Sequence, residues 1–146
     1  MAVTRLVTAL GFAGLIPFAV SAAGIWLLQD YPRALSQQGF IVYSLAILCF
    51  MAGSLWGTAQ RRVGGDKALR LLVSNGLVLF AVCSVLTAQA LIAGGLLALA
   101  HLATLWYERG SSTDRGWYSR MRVQLTLLVV ALHIAYIAGL IVRGSA

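Results

Sequence analysis

Residues 71–107 read LLVSNGLVLFAVCSVLTAQALIAGGLLALAHLATLWY, a run of 37 without one charged side chain. At about 1.5 Å per residue a single helix would be about 55 Å long, against a hydrocarbon core of roughly 30 Å. Tilt does not absorb that excess. Divided once, the run gives two helices of about 18 residues, each just long enough to cross. The polar triplet Thr87-Ala88-Gln89 is the place to turn, so the run predicts a tight hairpin of helices over about 69–87 and 90–107.

Outward from this hairpin, charged residues bound three further runs: Leu6–Gln29, Ala34–Gln60 and Val123–Val142. Each fits one crossing, giving helices over about 4–28, 38–60 and 120–142. The expectation is therefore all-α: one domain over 1–146, an integral membrane bundle of five transmembrane helices. A closed β-barrel is excluded, because the runs are continuously apolar and do not alternate.

Composition agrees. Of 146 residues, 60% are hydrophobic and 10% charged, where a soluble domain carries about 25% charged. With a mean hydropathy of +0.87 the surface must face lipid, so the bilayer is the first partner expected. The net charge of +7 comes from basic residues set between apolar runs, with no continuous basic face, so nucleic acid is not expected as a partner. Cys49 and Cys83 lie deep in apolar runs and read as packing residues, not as a disulfide framework.

The basic residues instead orient the chain. Five crossings put Arg5, Arg61, Arg62, Lys67, Arg70, Arg109, Arg115, Arg120 and Arg122 on one side and only Arg33 and Arg143 on the other. Short loops rich in Lys and Arg stay cytoplasmic, so the N-terminus is expected inside and the C-terminus outside. Trp26 and Tyr43 then fall near the outer boundary, and Trp56, Trp106, Tyr107, Trp117 and Tyr118 near the inner one, as an aromatic belt. Arg5 and the small residues Ser21-Ala22-Ala23 have the look of a secretory signal. However, Gly24-Ile25-Trp26-Leu27-Leu28 carries the apolar run on to span length, so an uncleaved first helix is expected. Asp30-Tyr31-Pro32 is expected to begin an outer loop, Gly64-Gly65-Asp66 to make a basic turn, and Glu108–Arg120 to form the longest connection.

Three stretches carry a resemblance: Leu10-Gly11-Phe12-Ala13-Gly14-Leu15-Ile16-Pro17-Phe18, Tyr43 through Gly57, and Trp117-Tyr118-Ser119-Arg120-Met121-Arg122-Val123-Gln124-Leu125-Thr126. In order and spacing the chain resembles the family called domain of unknown function 3429, along nearly its whole length. The "G-L-I-P-F" and "F-x-x-G-x-x-W-G" elements carry most of the likeness. At the second element the sequence departs slightly, with Ala52-Gly53 and Leu55 where a Gly and a His or Arg would stand before the Trp. The resemblance implies a small multi-pass protein of the bacterial inner membrane, with a mitochondrial transmembrane relative, and assigns no chemistry.

Few residues inside the spans are able to carry chemistry. His101 and His133 are the only histidines; they read first as polar helix glue, and otherwise as a proton relay or as ligands to a quinone or a haem. Asn75, in the hydrocarbon near the inner face, is expected to turn toward another helix, because an unpaired amide there costs a few kcal/mol. Trp56 near the inner face joins these as a candidate ligand contact. Gly53 with Gly57, and Gly94 with Ala98, have small-residue spacing and are expected to pack helices closely within the chain, with dimerisation as the alternative. Pro17 is expected to kink the first helix. Ser44, Ser54, Thr58 and Asn75 supply too little polarity to line a channel.

No charged residue lies within the membrane part of any expected span, which argues against ion-coupled transport and voltage sensing. Zinc-protease, nucleophile-elbow and phosphate-loop signatures are missing, so no catalytic or metal-ligating residue is assigned. No cofactor is expected outside the haem or quinone alternative. The reading is a non-enzymatic scaffold or assembly partner, docking against a larger membrane complex, a lipid or a second copy. The alternative is a small carrier or redox component binding a hydrophobic ligand near His101 and His133.

Overall fold

The computed structural model describes residues 2–61, 65–111 and 116–144. Six helices follow one another: α1 (Ala2–Ala13), α2 (Ile16–Leu27), α3 (Asp30–Ala59), α4 (Gly65–Leu86), α5 (Ala90–Ser111) and α6 (Trp117–Arg143). α1 and α2 are two halves of one span, so five helical segments are long and apolar enough to cross a membrane.

The break falls at Gly14-Leu15. Pro17 has no N–H to give Ala13, and its ring would press on that carbonyl, so the α-helical ladder cannot run through. Pro17 takes the first turn of α2 instead, where the missing donor costs nothing. Leu15 N–H turns back to Phe12 O at 3.0 Å, and the freed Gly14 carbonyl accepts the Tyr43 hydroxyl at 2.9 Å. The kink expected of Pro17 is thus a full break, closed by a side chain from α3.

At the hairpin, α4 ends at Leu86 and α5 begins at Ala90. Ala88 turns the chain with φ +56°, the left-handed region that an L-residue enters at a cost of about 1–2 kcal/mol. Gln89 caps α5 through its carbonyl, which accepts Ala93 N–H at 2.8 Å.

Helix ends depart from expectation where polar residues extend a helix beyond its apolar run. α3 starts at Asp30, not near 38, and the stretch expected to open an outer loop is its first turn. Gln29 is an extended N-cap, Asp30 sets its carboxylate against the positive end of the helix, and Pro32 sits where no N–H is required. This earlier start carries Tyr43 away from the outer boundary and into bonding distance of mid-span Gly14. α5 likewise runs past 107 to Ser111 and α6 starts at Trp117, which shortens the expected long connection. Gly64, Arg62, Ser112 and Arg115 lie outside the described residues.

α3 is the hub, packed against α2, α4 and α5, while α6 closes the bundle against α2 and α5. The core on the side of Trp26 and Arg143 is aromatic. Phe40 stacks on Tyr136 with centroids 4.1 Å apart, and Phe18 meets Phe40 edge-on at 5.3 Å. Three glycines allow this closeness. A Cβ on Gly24 would lie 2.7 Å from Ser36 Cβ, on Gly139 2.8 Å from Ile25 Cγ2, and on Gly94 3.1 Å from Tyr136 Cε1. Arg33 and Arg143, the two basic residues at that end, donate to Gly144 O and Trp26 O, clasping helix ends whose carbonyls lack helical partners.

Candidate functional site

A polar column rises through the otherwise apolar interior from the end carrying Arg70 and Arg122. On α6, Arg122, Thr126, Val129 and His133 follow one another at four, three and four residues, so they share one helical face. On α5, His101, Thr104 and Glu108 do the same at three and four. α3 supplies Ser44 and Met51 between these two faces.

At the foot of the column Arg122 pairs with Glu108, NH2 to Oε2 at 2.6 Å, and its NH1 reaches the Met51 sulfur. Both charged side chains are largely covered, at 12% and 23% exposure. The helices extend past their apolar runs, and Arg122 turns its long side chain into the bundle, toward a carboxylate on the neighbouring helix.

At the top, Ser44 joins the two histidines. Its hydroxyl lies 2.9 Å from His133 Nε2 and 3.2 Å from His101 Nε2, and all three residues are buried. His133 Nδ1 lies 2.8 Å from Val129 O, a group that only accepts. With one proton on each imidazole, the sequence of bonds is therefore fixed. His133 Nδ1–H donates to Val129 O, Ser44 Oγ–H donates to His133 Nε2, and His101 Nε2–H donates to Ser44 Oγ. His101 is left with a bare Nδ1, an acceptor. A carbonyl closes the chain of bonds, so it orients His101 and does not pass a proton onward.

Between these two levels lies a cavity of about 160 Å³, lined by Gly14 and Phe18 from the broken span, Met51 from α3, His101 and Thr104 from α5, and Thr126 from α6, among others. Thr104 is satisfied by Ala100 O at 2.8 Å. Two polar atoms of its wall residues have no partner among the described residues and are not sealed off: His101 Nδ1 and the Thr126 hydroxyl. Both residues are otherwise buried, at 5% and 6% exposure. The space is about that of a single six-membered ring, since a cavity of roughly 150 Å³ holds benzene.

A haem does not fit these residues. Both Nε2 atoms already share one serine hydroxyl, the ring centroids are 5.5 Å apart, and no open plane separates them for a macrocycle.

The other residues singled out from the sequence are not gathered here. Asn75 faces outward and satisfies its amide on Leu71 O at 2.8 Å, one turn back on its own helix. The inward-facing neighbour is Ser74, which donates to Ala52 O at 2.6 Å and ties α4 to α3. Trp56 is 43% exposed and stands away from the cavity. Gly53 and Gly57 do not pack helices within the chain, because a Cβ on either would meet nothing within 4 Å. Gly94 lies against Tyr136, Ala98 is half-buried on α5, and Pro17 is exposed beside the break.

Sequence reading missed Ser44, Thr126 and Arg122 as site residues. The available signal was periodic: Arg122, Thr126 and His133 mark one face of α6, the reverse of a helix that hides only apolar side chains.

No curated protein and no solved structure matches the chain. A family does: residues 3–138 match the one described as "Protein of unknown function (DUF3429)". That match takes in the broken first span, Ser44, His101 and His133, and the Arg122–Glu108 pair; this chain, with five helices long and apolar enough to cross a membrane, belongs to the DUF3429 family.

Proposed function

We propose that this protein binds a small lipophilic ligand within the membrane, in a non-enzymatic role, with the cavity beside His101 as its site. The observation that carries the reading is the pair of unpartnered polar atoms, His101 Nδ1 and Thr126 Oγ1, on buried residues of one ring-sized cavity. An empty cavity without function has no reason to carry them, because an unmade hydrogen bond in this setting costs about 1–3 kcal/mol.

The bond order selects the ligand. His101 Nδ1 accepts, so the ligand offers a hydroxyl there, and Thr126 and Arg122 meet a second oxygen on the far side. A hydroxylated ring of the quinol type has this pattern. The test titrates a short-chain quinol, and its quinone as control, into the detergent-solubilised chain. Preferential binding of the quinol, lost in His101→Phe and kept in Asn75→Leu, supports the reading. Equal binding of both forms by the unsubstituted chain, or an undiminished quinol preference in His101→Phe, overturns it.

The proposed setting is a bacterial inner membrane, with the N-terminus and the basic connections in the cytoplasm and the C-terminus in the periplasm. Support comes from the split of the basic residues between the two ends.

A second reading, as assembly partner of another membrane protein or copy, is favoured by one observation. Gly53 and Gly57 sit four residues apart on α3 with open space above both, a surface onto which another helix packs closely. Crosslinking of Gly53→Cys in membranes tests it, and a solely monomeric product counts against it.

A further inference from the structure

The geometry points to a binding site for a phosphate-type oxyanion at the basic end of the bundle, built around Arg70. This site is separate from the His101 cavity. Arg70 projects from the first turns of α4 and is buried, at 5% exposure. Its NH2 donates to Ser111 O at 2.8 Å, and its guanidinium lies 5.9 Å from the centre of the Tyr107 ring. Among the described residues no carboxylate pairs with it, and Glu108 is held by Arg122. A guanidinium has five N–H donors, and here only one is engaged.

Its Nε and NH1, which have no partner among the described residues, are not sealed in protein. Arg70 lines a cavity of about 200 Å³ bounded by four helices, with Ser54, Thr58, Arg109 and Ser119 among its walls. Its charged lining is Arg70, Arg109 and Arg122 against the single carboxylate of Glu108, a surplus of two positive charges. Ser54 and Ser119 add hydroxyls with no partner among the described residues. On its other side Arg70 borders a wider depression that also contains Asp66, which does not pair with it.

A clasp on the Ser111 carbonyl accounts for one donor and needs no charge. An almost wholly buried cation without a counter-ion is costly, and the open donors face a space that an oxyanion would fill. The planar fork of arginine suits tetrahedral phosphate oxygens, and the hydroxyls complete the shell. The chemistry is that of a phosphate ester. Its source is either the headgroup of an anionic lipid or a soluble phosphate compound, both of which reach this end.

The test follows thermal unfolding of the full chain in neutral detergent in four additions: phosphatidylglycerol, phosphatidylcholine, inorganic phosphate, and chloride at matched ionic strength. A rise in midpoint above the chloride and phosphatidylcholine controls is expected with phosphatidylglycerol, phosphate or both. A rise with the lipid alone identifies a headgroup site, and a rise with inorganic phosphate identifies a site that takes phosphate free of lipid. Arg70→Gln is expected to need about tenfold more of the active anion for half its effect, the loss of one charge-assisted bond. Ser54→Ala with Ser119→Ala leaves the Arg70 clasp in place and guards against a folding defect; a severalfold weakening is expected. No rise above the controls, or an unchanged response in both variants, overturns the proposal.

Discussion

Ser44→Ala removes the hydroxyl that three helices share. In the intact protein it donates to His133 Nε2 at 2.9 Å and accepts from His101 Nε2 at 3.2 Å. Interhelical hydrogen bonds in membrane proteins contribute about 0.6 kcal/mol each on average, so two lost bonds amount to about 1.2 kcal/mol. Ser44 and His133 are wholly buried, at 0% exposure, so water does not replace the lost partner. An unsatisfied ring nitrogen adds about 1–3 kcal/mol. The expected destabilisation is therefore about 2–4 kcal/mol, falling to about 1 kcal/mol if the imidazoles tip together and bond directly. Reversible unfolding in mixed micelles reads the free energy. Nitrogen-15 spectra of the histidines read the proton positions: the His101 proton on Nε2 and the His133 proton on Nδ1. A change below about 0.3 kcal/mol, or the same tautomer on both rings, would refute the bonded chain.

The remaining predictions concern single positions. Ala88→Gly relieves the left-handed turn and is expected to stabilise the chain by about 1 kcal/mol in the same unfolding assay. Gly139→Val drives side-chain atoms into Ile25 and Trp26, and a loss of about 1–3 kcal/mol or more is expected. Gly57→Ala, by contrast, should leave the isolated chain within about 0.5 kcal/mol of wild type. Tyr43→Phe leaves the Gly14 carbonyl without its donor at the break and should cost about 1 kcal/mol, read as faster hydrogen exchange around residues 14–19.

The sequence shows span number and hairpin position because both follow from one quantity, the length of uncharged run against bilayer thickness. The 37-residue run divides at Thr87-Ala88-Gln89, and α4 and α5 flank that triplet. Helix ends were less legible. Asp30 and Pro32 are polar or turn-forming by type, yet both are accommodated in the first turn of α3, where dipole and missing donors change their meaning, and Glu108 is held near the end of α5 by Arg122. Interior facing was least legible. Asn75 and Ser74 are neighbours, and composition favours the amide as the interhelical tie, but the helix register points the serine inward. The spacing Gly53-x-x-x-Gly57 suggested close packing that does not occur within the chain, whereas close approaches occur at Gly94, which the Gly94 and Ala98 spacing marked, and at Gly24 and Gly139, which no motif marks. The meeting of His101 with His133 depends on α5 and α6 facing each other across Ser44, a fact of tertiary arrangement that no local pattern contains.

Every depth assigned here follows from an odd number of crossings. Single cysteines at Thr4 and Gly144, introduced in a background lacking Cys49 and Cys83, decide it by labelling with a membrane-impermeant reagent in intact cells. The account predicts that Gly144→Cys is labelled from outside and Thr4→Cys only after permeabilisation. Equal labelling of both ends from one side would contradict it.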